Sequence, residues 1–381
     1  MSRRLSFLLV LVCASFCFSG ETPAGPSAAL VPFIETGSIA GAVTLVADGE
    51  KVLSLEAIGY SDVKARTAIK TDAVFWIASM SKPITGVGLL MLVDEGKVNL
   101  DDPAEKYLPE LKDMWVAAYK DKDSILLKRP KTPITVRHLM DHTSGMSFTS
   151  AMEKPTLDRL SIRDSVLSYT MTPLNSEPGT KYAYSNSGIN TAGRIIEVVS
   201  KMPYEEFMDK RVFQPLAMKD TSFWPSEAQV ARLAKSYKPA ADKKSLAETS
   251  IWALAYPLTD RKRQPMPGGG LFSTAEDVGK LCQMVLNGGT RGNTRFLSEK
   301  AVQAMTSRST PKELSNNYGI GWAIGEGWHG HGGAYATDMQ VNTKAGLVLV
   351  YLVQHAGFLN NGSQGKAAFQ QAAIAKFGKT K

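Results

Sequence analysis

The stretch that decides the fold is "FWIASMSKPITGVGLLMLVDEG", residues 75–96. Its apolar run predicts a buried helix, and Pro83 marks the first turn, where a missing backbone N–H has no cost. Ser79 and Lys82 lie three residues apart at the head of this helix and share one face, whereas Ser81 points elsewhere. A lysine amine can take or relay the proton of a serine hydroxyl, and burial makes the neutral amine accessible. The stretch therefore predicts Ser79 as a nucleophile and Lys82 as its partner.

The S-x-x-K spacing is not specific by itself. It occurs four times, at Ser61/Lys64, Ser79/Lys82, Ser309/Lys312 and Ser363/Lys366. Only the second pair leads an apolar helix, so we treat the other three as chance. The alternative reading of Ser79 and Lys82 is a helix cap beside a lysine whose ammonium reaches solvent.

Two further segments carry residue types that suit this chemistry. "EPGTKYAYSNSG" (177–188) holds the Y-x-N sequence of Tyr184 and Asn186, between a Pro-Gly turn and a predicted helix. "GHGGAYATD" (330–338) places His331 at the edge of a predicted strand. Taken alone, Tyr184 is a packing residue with a bonded hydroxyl, Asn186 is a helix N-cap and His331 is an ordinary strand histidine.

The order and the distances of six motifs are far more specific. They are "IASMSK" (77–82), "TVRHLMDHTSGM" (135–146), "PGTKYAYSNSG" (178–188), "GGGLFSTAEDV" (268–278), "YGIGW" (318–322) and "HGG" (331–333). From about residue 30 to 375 the chain resembles the serine hydrolases of the penicillin-binding-protein and class C β-lactamase type. That group includes carboxylesterases, D-aminopeptidases and D-alanyl-D-alanine carboxypeptidases.

The resemblance implies a proton-transfer role for three side chains. Ser79 attacks the substrate and is acylated, and Lys82 assists as base or proton relay. Tyr184 is a second proton-transfer group, and the neighbouring Lys82 charge is expected to favour its phenolate.

The resemblance also implies the substrate contacts. Asn186 hydrogen-bonds the acyl side of the substrate. The backbone N–H groups of Ser79 and of Ala334, on the strand after Gly333, form the oxyanion hole. His331 takes the place of the lysine in the K-T-G element of β-lactamases.

The two ends of the chain are predicted as strands and the middle as helices. Two β-rich runs flank a turn at Asp48-Gly49 within 40–62, and strand pairs are predicted in 319–333 and 338–354. The predicted helices are 83–96, 135–142, 161–170, 188–201, 204–211, 274–287 and 365–378. We expect an α+β fold, in which helices flank an antiparallel sheet built from both chain ends and a mostly helical subdomain is inserted, as in β-lactamases and transpeptidases.

The length of 381 residues exceeds the size at which a single core stops growing, so we expect two subdomains. Residues 20–82 and 265–381 are assigned to the sheet subdomain, and residues 83–264 to the mainly helical one. Residues 112–134 and 225–265 are polar and lysine-rich, and we predict loops there.

Residues 1–19 are predicted to be a removable signal peptide. Arg3 and Arg4 precede a short apolar run, and cleavage after Ser19 fits the small residues there. The run is too short for a membrane span, so we expect an exported protein, periplasmic or secreted. The mature chain then keeps Cys282 alone, as a core residue.

The formal net charge is +8, and removal of Arg3 and Arg4 leaves +6. Short basic clusters occur at Lys128–Lys131 and Arg261–Arg263, but no nucleic-acid motif is interleaved with them, so no nucleic-acid partner is expected. Solvated loops and adhesion to an anionic envelope both remain open as explanations.

The glycine run and the predicted helix start within residues 268–278 are both given structural roles. Gly268–Gly270 lacks a following Gly-Lys-Ser/Thr, so it is not a phosphate loop, and we expect it to let a loop approach the cleft closely. Ser273 and Glu276 predict a capping box for the next helix.

Other functional classes lack their motifs. His138 and His142 have the i, i+4 spacing of a metal pair, but H-E-x-x-H is absent, so we predict neither a metal nor a cofactor. The G-x-S-x-G motif of α/β-hydrolases is also absent. A non-catalytic penicillin-binding-like sensor would be expected to lose Ser79, Lys82 or Tyr184, and all three are present.

The third element indicates the substrate class. In K-T-G, the lysine charge and the threonine hydroxyl can hold a substrate carboxylate. Here His331 and Gly332 occupy those positions, so one hydroxyl is lost and the charge depends on pH. We therefore predict a carboxylesterase for small neutral esters, with a β-lactamase or a D-alanyl-D-alanine carboxypeptidase or D-aminopeptidase acting on an amide as the alternatives. The oligomeric state is left open.

Overall fold

A seven-stranded antiparallel sheet forms the centre of the computed structural model, which describes residues 24–379. In spatial order its strands are Ala323–Gly325, Trp328–Gly332, Asp338–Asn342, Leu347–Leu352, Gly41–Ala47, Val52–Asp62 and Thr67–Ala68. The two chain ends meet where Val43 pairs with Leu352. The predicted α+β fold with a sheet from both chain ends is therefore confirmed.

The two central strands are buried along their whole length because helices cover both faces of the sheet. Val43 and Leu45 face one side and belong to the same core as Leu281 of the helix Ala275–Leu286. Ala42 and Val46 alternate to the other side, where Phe369 of the C-terminal helix joins their core. Because of this period-two alternation, each central strand contributes side chains to the core on both faces of the sheet.

The α-helices agree with the predicted ones to within a few residues where a helix was predicted. They are Val31–Glu35, Ser81–Asp94, Val136–Met140, Ile162–Thr170, Asn186–Ser200, Tyr204–Met208, Glu227–Val230, Ala275–Leu286, Glu299–Thr306 and Gly365–Phe377. The predicted capping box of Ser273 and Glu276 is wrong, because the N-cap is Thr274, whose hydroxyl accepts from the Asp277 N–H at 3.3 Å.

The helix Ser81–Asp94 is surrounded by protein, and the residues from Ser81 to Leu92 are all buried. Its sequence is apolar on every side, which is typical of a central helix. It packs against the helix Asn186–Ser200. This pair brings two of the motifs together, one at the head of each helix.

Two segments predicted as loops contain short β-hairpins. The sequence did not predict these hairpins because exposed lysines and aspartates interrupt their alternating pattern. The paired strands are Val116–Lys120 with Ile125–Lys128 and Ser236–Pro239 with Leu246–Thr249. Two other short pairs are Phe75–Trp76 with Phe272–Ser273 and Thr290–Arg291 with Thr294–Arg295. The pair at Phe75–Trp76 ties the start of the S-x-x-K segment to the glycine run.

The basic clusters make contacts within the protein. Lys128 pairs with Glu177 at 2.7 Å, and the Arg129 guanidinium lies 3.9 Å from the centre of the Trp115 ring. Arg263 is buried and its Nε donates to Asp158 at 2.7 Å.

The predicted signal peptide, residues 1–19, lies outside the described residues, so export stays a prediction. Between residues 24 and 379, no helix combines the length and apolarity needed to cross a membrane. The division into residues 20–82 with 265–381 and residues 83–264 likewise stays a prediction.

Candidate active site

A tight turn holds Ser79 at the mouth of a cleft. The residue lies in the 3-10 turn Ala78–Met80 that leads into the helix, and its side chain is half-exposed between buried neighbours. Ala78 has a φ of +46°, which is uncommon for a residue with a Cβ. The buried Ser81 hydroxyl donates to the Ala78 carbonyl at 2.7 Å and accepts from the Leu271 N–H at 3.2 Å. Ser81 therefore secures the turn, while Ser79 faces the lysine.

Lys82 is fully buried, and its Nζ makes three hydrogen bonds. The partners are Ser79 Oγ at 3.0 Å, Asn186 Oδ1 at 2.7 Å and the Gly268 carbonyl at 2.6 Å. Burial lowers the pKa of Lys82 well below its usual value. The alternative of a capping serine and a lysine that reaches solvent is therefore wrong.

The partners of Lys82 define how the neutral amine is oriented. Asn186 Oδ1 and the Gly268 carbonyl can only accept, so they take the two N–H groups of a neutral amine. The remaining lone pair then faces the Ser79 hydroxyl. This geometry suits Lys82 to remove the proton of Ser79 as a general base.

His331 faces the hydroxyl of Tyr184 as a neutral imidazole. Its Nδ1 lies 2.6 Å from the Gly332 carbonyl, which can only accept, so Nδ1 carries the proton. Nε2 then presents its lone pair 3.5 Å from the Tyr184 hydroxyl. Burial and the proximity of Lys82 both lower the pKa of His331.

The expectation of a Tyr184 phenolate is wrong. The Tyr184 ring centre lies 4.7 Å from Lys82 Nζ, but burial raises the pKa of the phenol, and a hydrogen bond with Ser79 offsets this only in part. Burial also lowers the pKa of Lys82, which weakens the positive charge that was expected to favour the phenolate. Tyr184 is thus a neutral hydroxyl at neutral pH, able to donate or relay a proton.

Asn186 is free to serve the site because its neighbour caps the helix. Ser185 Oγ accepts from the Gly188 N–H at 3.0 Å, so the cap is Ser185 and Asn186 is the first helical residue. The Asn186 Oδ1 holds Lys82. The Nδ2 donates to no group of the described protein and is available to a substrate, the role that the resemblance implied.

The glycine run approaches the cleft closely, as expected. A Cβ at Gly268 would lie 3.0 Å from Asn186 Oδ1 and 3.2 Å from Asn190 Oδ1, so a side chain there would displace the contacts of Lys82. The Gly268 N–H donates to Asn190 Oδ1 at 2.9 Å. Glycine at this position therefore lets a backbone carbonyl reach the amine.

A buried chain of hydrogen bonds supports this loop. Asn190 Nδ2 donates to the Tyr169 hydroxyl at 2.9 Å, and that hydroxyl donates to Glu153 Oε1 at 2.6 Å. The sequence reasoning missed all three residues and the Gly268 carbonyl. One signal was present, because Asn190 follows Asn186 by one helical turn and shares its face.

The turn that carries Ala334 is attached to the nucleophile segment. The preceding strand ends at Gly332, so Ala334 lies in a turn and not on a strand as expected. Thr337 Oγ1 donates to the Ile77 carbonyl at 3.3 Å, and a Cβ at Gly333 would lie 2.6 Å from that carbonyl. The exposed Ala334 N–H donates to no group within residues 24–379, as an oxyanion donor requires.

The two histidines with metal-pair spacing make structural contacts. His138 Nδ1 accepts from the Thr135 N–H at 3.2 Å, and His142 Nδ1 accepts from the Ser185 N–H at 3.2 Å. The buried His142 ring also packs 4.4 Å from the Tyr184 ring. Neither histidine belongs to a cluster of three metal-binding side chains in the described part of the chain. His142 instead positions Tyr184, a role that the sequence reasoning did not assign.

Two relatives of the chain carry different names. An uncharacterized protein of Mycobacterium tuberculosis (strain CDC 1551 / Oshkosh) is 30% identical over 366 residues, which cover 87% of this chain and 90% of that protein. A protein of Salmonella agona (strain SL483), provisionally named D-alanyl-D-alanine carboxypeptidase, is 29% identical over 280 residues, which cover 67% of this chain and 60% of the relative.

The fold and the family are shown by two further comparisons. The structure of EstCE1, a hydrolase with promiscuous acyltransferase activity, has a TM-score of 0.78 at 22% identity and covers 92% of this chain and 97% of that one. At this identity the likeness shows the fold alone. A family model described as Beta-lactamase matches residues 27–373. The resemblance drawn from the six motifs is thereby confirmed, and the chain belongs to the beta-lactamase family as a serine hydrolase with the penicillin-binding-protein fold.

Proposed function

We propose that the protein is an exported carboxylesterase that forms an acyl-enzyme on Ser79 and hydrolyses small neutral esters. One observation carries the proposal. The buried Lys82 amine lies 3.0 Å from Ser79 Oγ, and its other two hydrogen bonds go to oxygens that only accept.

The geometry suggests how the reaction proceeds. Lys82 takes the Ser79 proton as Oγ attacks the ester carbonyl carbon, and the N–H groups of Ser79 and Ala334 stabilise the oxyanion. The C–O bond to the alcohol then breaks, and the alkoxide takes a proton through Tyr184, which the Lys82 ammonium replenishes. Water attacks the acyl-enzyme by the reverse proton path, which releases the acid and restores Ser79.

The third element favours a neutral substrate. Both nitrogens of His331 face protein groups, and its lowered pKa keeps it uncharged. Gly332 has no hydroxyl, and the nearby Lys366 is paired with Asp338 at 3.1 Å. Arg263, which belongs to the second basic cluster, is buried against Asp158. A substrate carboxylate would therefore find no unpaired cation among these residues.

An apolar side chain at the cleft favours a short apolar acyl group. The Phe148 ring is 45% exposed and stacks against Tyr184 with the ring centres 6.2 Å apart. The Phe148 carbonyl accepts from the Asn186 N–H at 3.1 Å, which fixes this residue beside the site. Contact with an acyl chain would bury this exposed aromatic surface.

A substrate panel tests the proposal. The purified protein and its Ser79→Ala variant are assayed with p-nitrophenyl butyrate, nitrocefin and a D-alanyl-D-alanine peptide. We expect rapid turnover of the ester, with the activity lost in the variant. The name of the Salmonella agona relative makes D-alanyl-D-alanine cleavage the second candidate, and faster turnover of the peptide than of the ester would favour it. Export is tested separately, since N-terminal sequencing of the periplasmic or secreted protein should begin after Ser19.

A further inference from the structure

A cavity of about 220 Å³ lies beside the third element of the active site. Its lining includes Gly332 and Gly333, the charged pair Asp338 and Lys366, and the side chains of Tyr351 and Phe358. Ser363 also lines it. Gly332 and Gly333 separate His331 from Ala334, so the cavity borders the strand end that carries His331 and the turn that carries Ala334. Its other walls belong to the face of the sheet covered by the C-terminal helix.

The strand edge next to this cavity is open. The neighbouring strand Ala323–Gly325 pairs only as far as Gly330, so the edge beyond it, from His331 onward, has no strand partner in the described sheet. A substrate lying along this edge can place a substituent over Gly332. A substituent at that point would lie against a residue that lines the cavity.

Packing does not explain why residue 332 is glycine. A Cβ there would find no atom closer than 3.6 Å, which is an ordinary van der Waals distance. Its φ also lies outside the left-handed region that favours glycine. A side chain would fit without strain but would project toward Asp338, the nearest side chain. The missing side chain leaves the cavity open at the active-site strand.

A buried hydroxyl in the cavity has no partner. Tyr351 is 1% exposed, and its hydroxyl makes no hydrogen bond within the described structure. A buried hydroxyl without a partner is unfavourable, and such groups in native proteins call for an explanation. A ligand group in the cavity would supply the missing hydrogen bond.

The charges in the cavity select the class of ligand. Asp338 and Lys366 are paired at 3.1 Å, so a ligand group of either charge would meet a like charge. A hydroxyl avoids this conflict because it both donates and accepts. It could donate to Asp338 and accept from Tyr351 or Ser363, while Phe358 packs against the carbon skeleton.

We propose that this cavity is a subsite for a hydroxylated group of the substrate, such as the polyol part of a glycerol or sugar ester. The inference rests on the proposed esterase function and narrows its substrate class. The hydroxyls could belong to the alcohol or to the acyl part of the ester, and the experiment distinguishes these two sources.

The test compares three short esters that differ in their hydroxyl groups. Ethyl butyrate is the reference, glycerol 1-monobutyrate carries hydroxyls on the alcohol, and ethyl 3-hydroxybutyrate carries one on the acyl chain. We expect one hydroxylated ester to have a kcat/KM about tenfold higher than that of ethyl butyrate. Each hydrogen bond to the cavity raises kcat/KM by roughly two- to tenfold. The favoured ester identifies the source of the hydroxyl.

Two variants tie the preference to the cavity. Tyr351→Phe should reduce the ratio of kcat/KM between the favoured ester and ethyl butyrate by about two- to tenfold. Gly332→Val should bring that ratio to about one, because the valine side chain would fill the entrance of the cavity. The thermal midpoint of Tyr351→Phe should not fall, because the lost hydroxyl has no partner in the protein.

The outcomes separate this inference from the proposed function. No hydrolysis of any ester would overturn the proposed function. Hydrolysis of all three esters at similar rates, or a preference that survives both variants, would overturn the subsite alone. A clear fall in the thermal midpoint of Tyr351→Phe would show that its hydroxyl bonds to the protein, and would also overturn it.

Discussion

The substitution Gly268→Ala tests whether the backbone at this position sets the geometry of the catalytic amine. The new Cβ would lie 3.0 Å from Asn186 Oδ1 and 3.2 Å from Asn190 Oδ1, which are both tighter than ordinary contacts. These two amide oxygens are already engaged, one with Lys82 and the other with the Gly268 N–H. Any shift that relieves the contact therefore lengthens at least one of these bonds.

The expected loss follows from the hydrogen bonds at stake. If the Gly268 carbonyl or Asn186 Oδ1 moves away, Lys82 loses one of the two acceptors that aim its lone pair at Ser79. A hydrogen bond of this kind contributes about 1.5 kcal/mol, which corresponds to a roughly tenfold fall in kcat/KM. The assay is the hydrolysis of p-nitrophenyl butyrate, with circular dichroism and thermal unfolding to confirm that the variant is folded.

The adjacent glycine supplies a matched control. A Cβ at Gly269 would lie 3.2 Å from the terminal methyl of Met266, which is flexible, and 3.6 Å from the Ala78 carbonyl carbon. We therefore expect Gly269→Ala to keep most of the activity. Full activity in folded Gly268→Ala, or an equal loss in both variants, would refute the idea that this loop orients Lys82.

Three other predictions follow from the site. A fluorophosphonate should label Ser79 alone, and an adduct on Ser81 would contradict the assignment. Ser81→Ala should keep the labelling of Ser79 but lower the free energy of unfolding by about 1–3 kcal/mol, because the Leu271 N–H loses its hydrogen-bond acceptor. Burial lowers the Lys82 pKa, so kcat/KM should rise with pH as Lys82 loses its proton, well below pH 10.5. The free energy of unfolding should also rise with pH between the native pKa and 10.5, because the unfolded chain binds one more proton than the folded chain in that range. An acidic limb of the kcat/KM profile near pH 10.5 would count against Lys82 as a neutral base. Nitrocefin should be hydrolysed much more slowly than p-nitrophenyl butyrate at pH 7.5. The double change His331→Lys with Gly332→Thr should narrow this difference in rate. Comparable rates for the two substrates in the unmodified protein would favour a β-lactamase.

The fold was accessible from the sequence where the signal is local. The continuous apolar run after Lys82 predicts a central helix, and Pro83 lies in its first turn as expected. The alternating runs around Asp48-Gly49 predict the first hairpin, and its strands are Gly41–Ala47 and Val52–Asp62. The two polar hairpins were missed because lysines at exposed strand positions carry no hydrophobic alternation.

The pairing of Ser79 with Lys82 was also predicted, because three-residue spacing at the head of a helix brings the side chains together whatever the rest of the chain does. The site around that pair depends on the tertiary structure. Lys82 meets Asn186 across 104 positions and Gly268 across 186, and a backbone carbonyl such as that of Gly268 has no residue-type signature. Sequence reasoning expected burial to lower the pKa of Lys82, and it does. It also expected a Tyr184 phenolate, whereas burial raises the pKa of that phenol. Residue identity and spacing thus determined which groups could react, but only the packing of distant segments decided how far each is desolvated, and desolvation sets the protonation state in which each group acts.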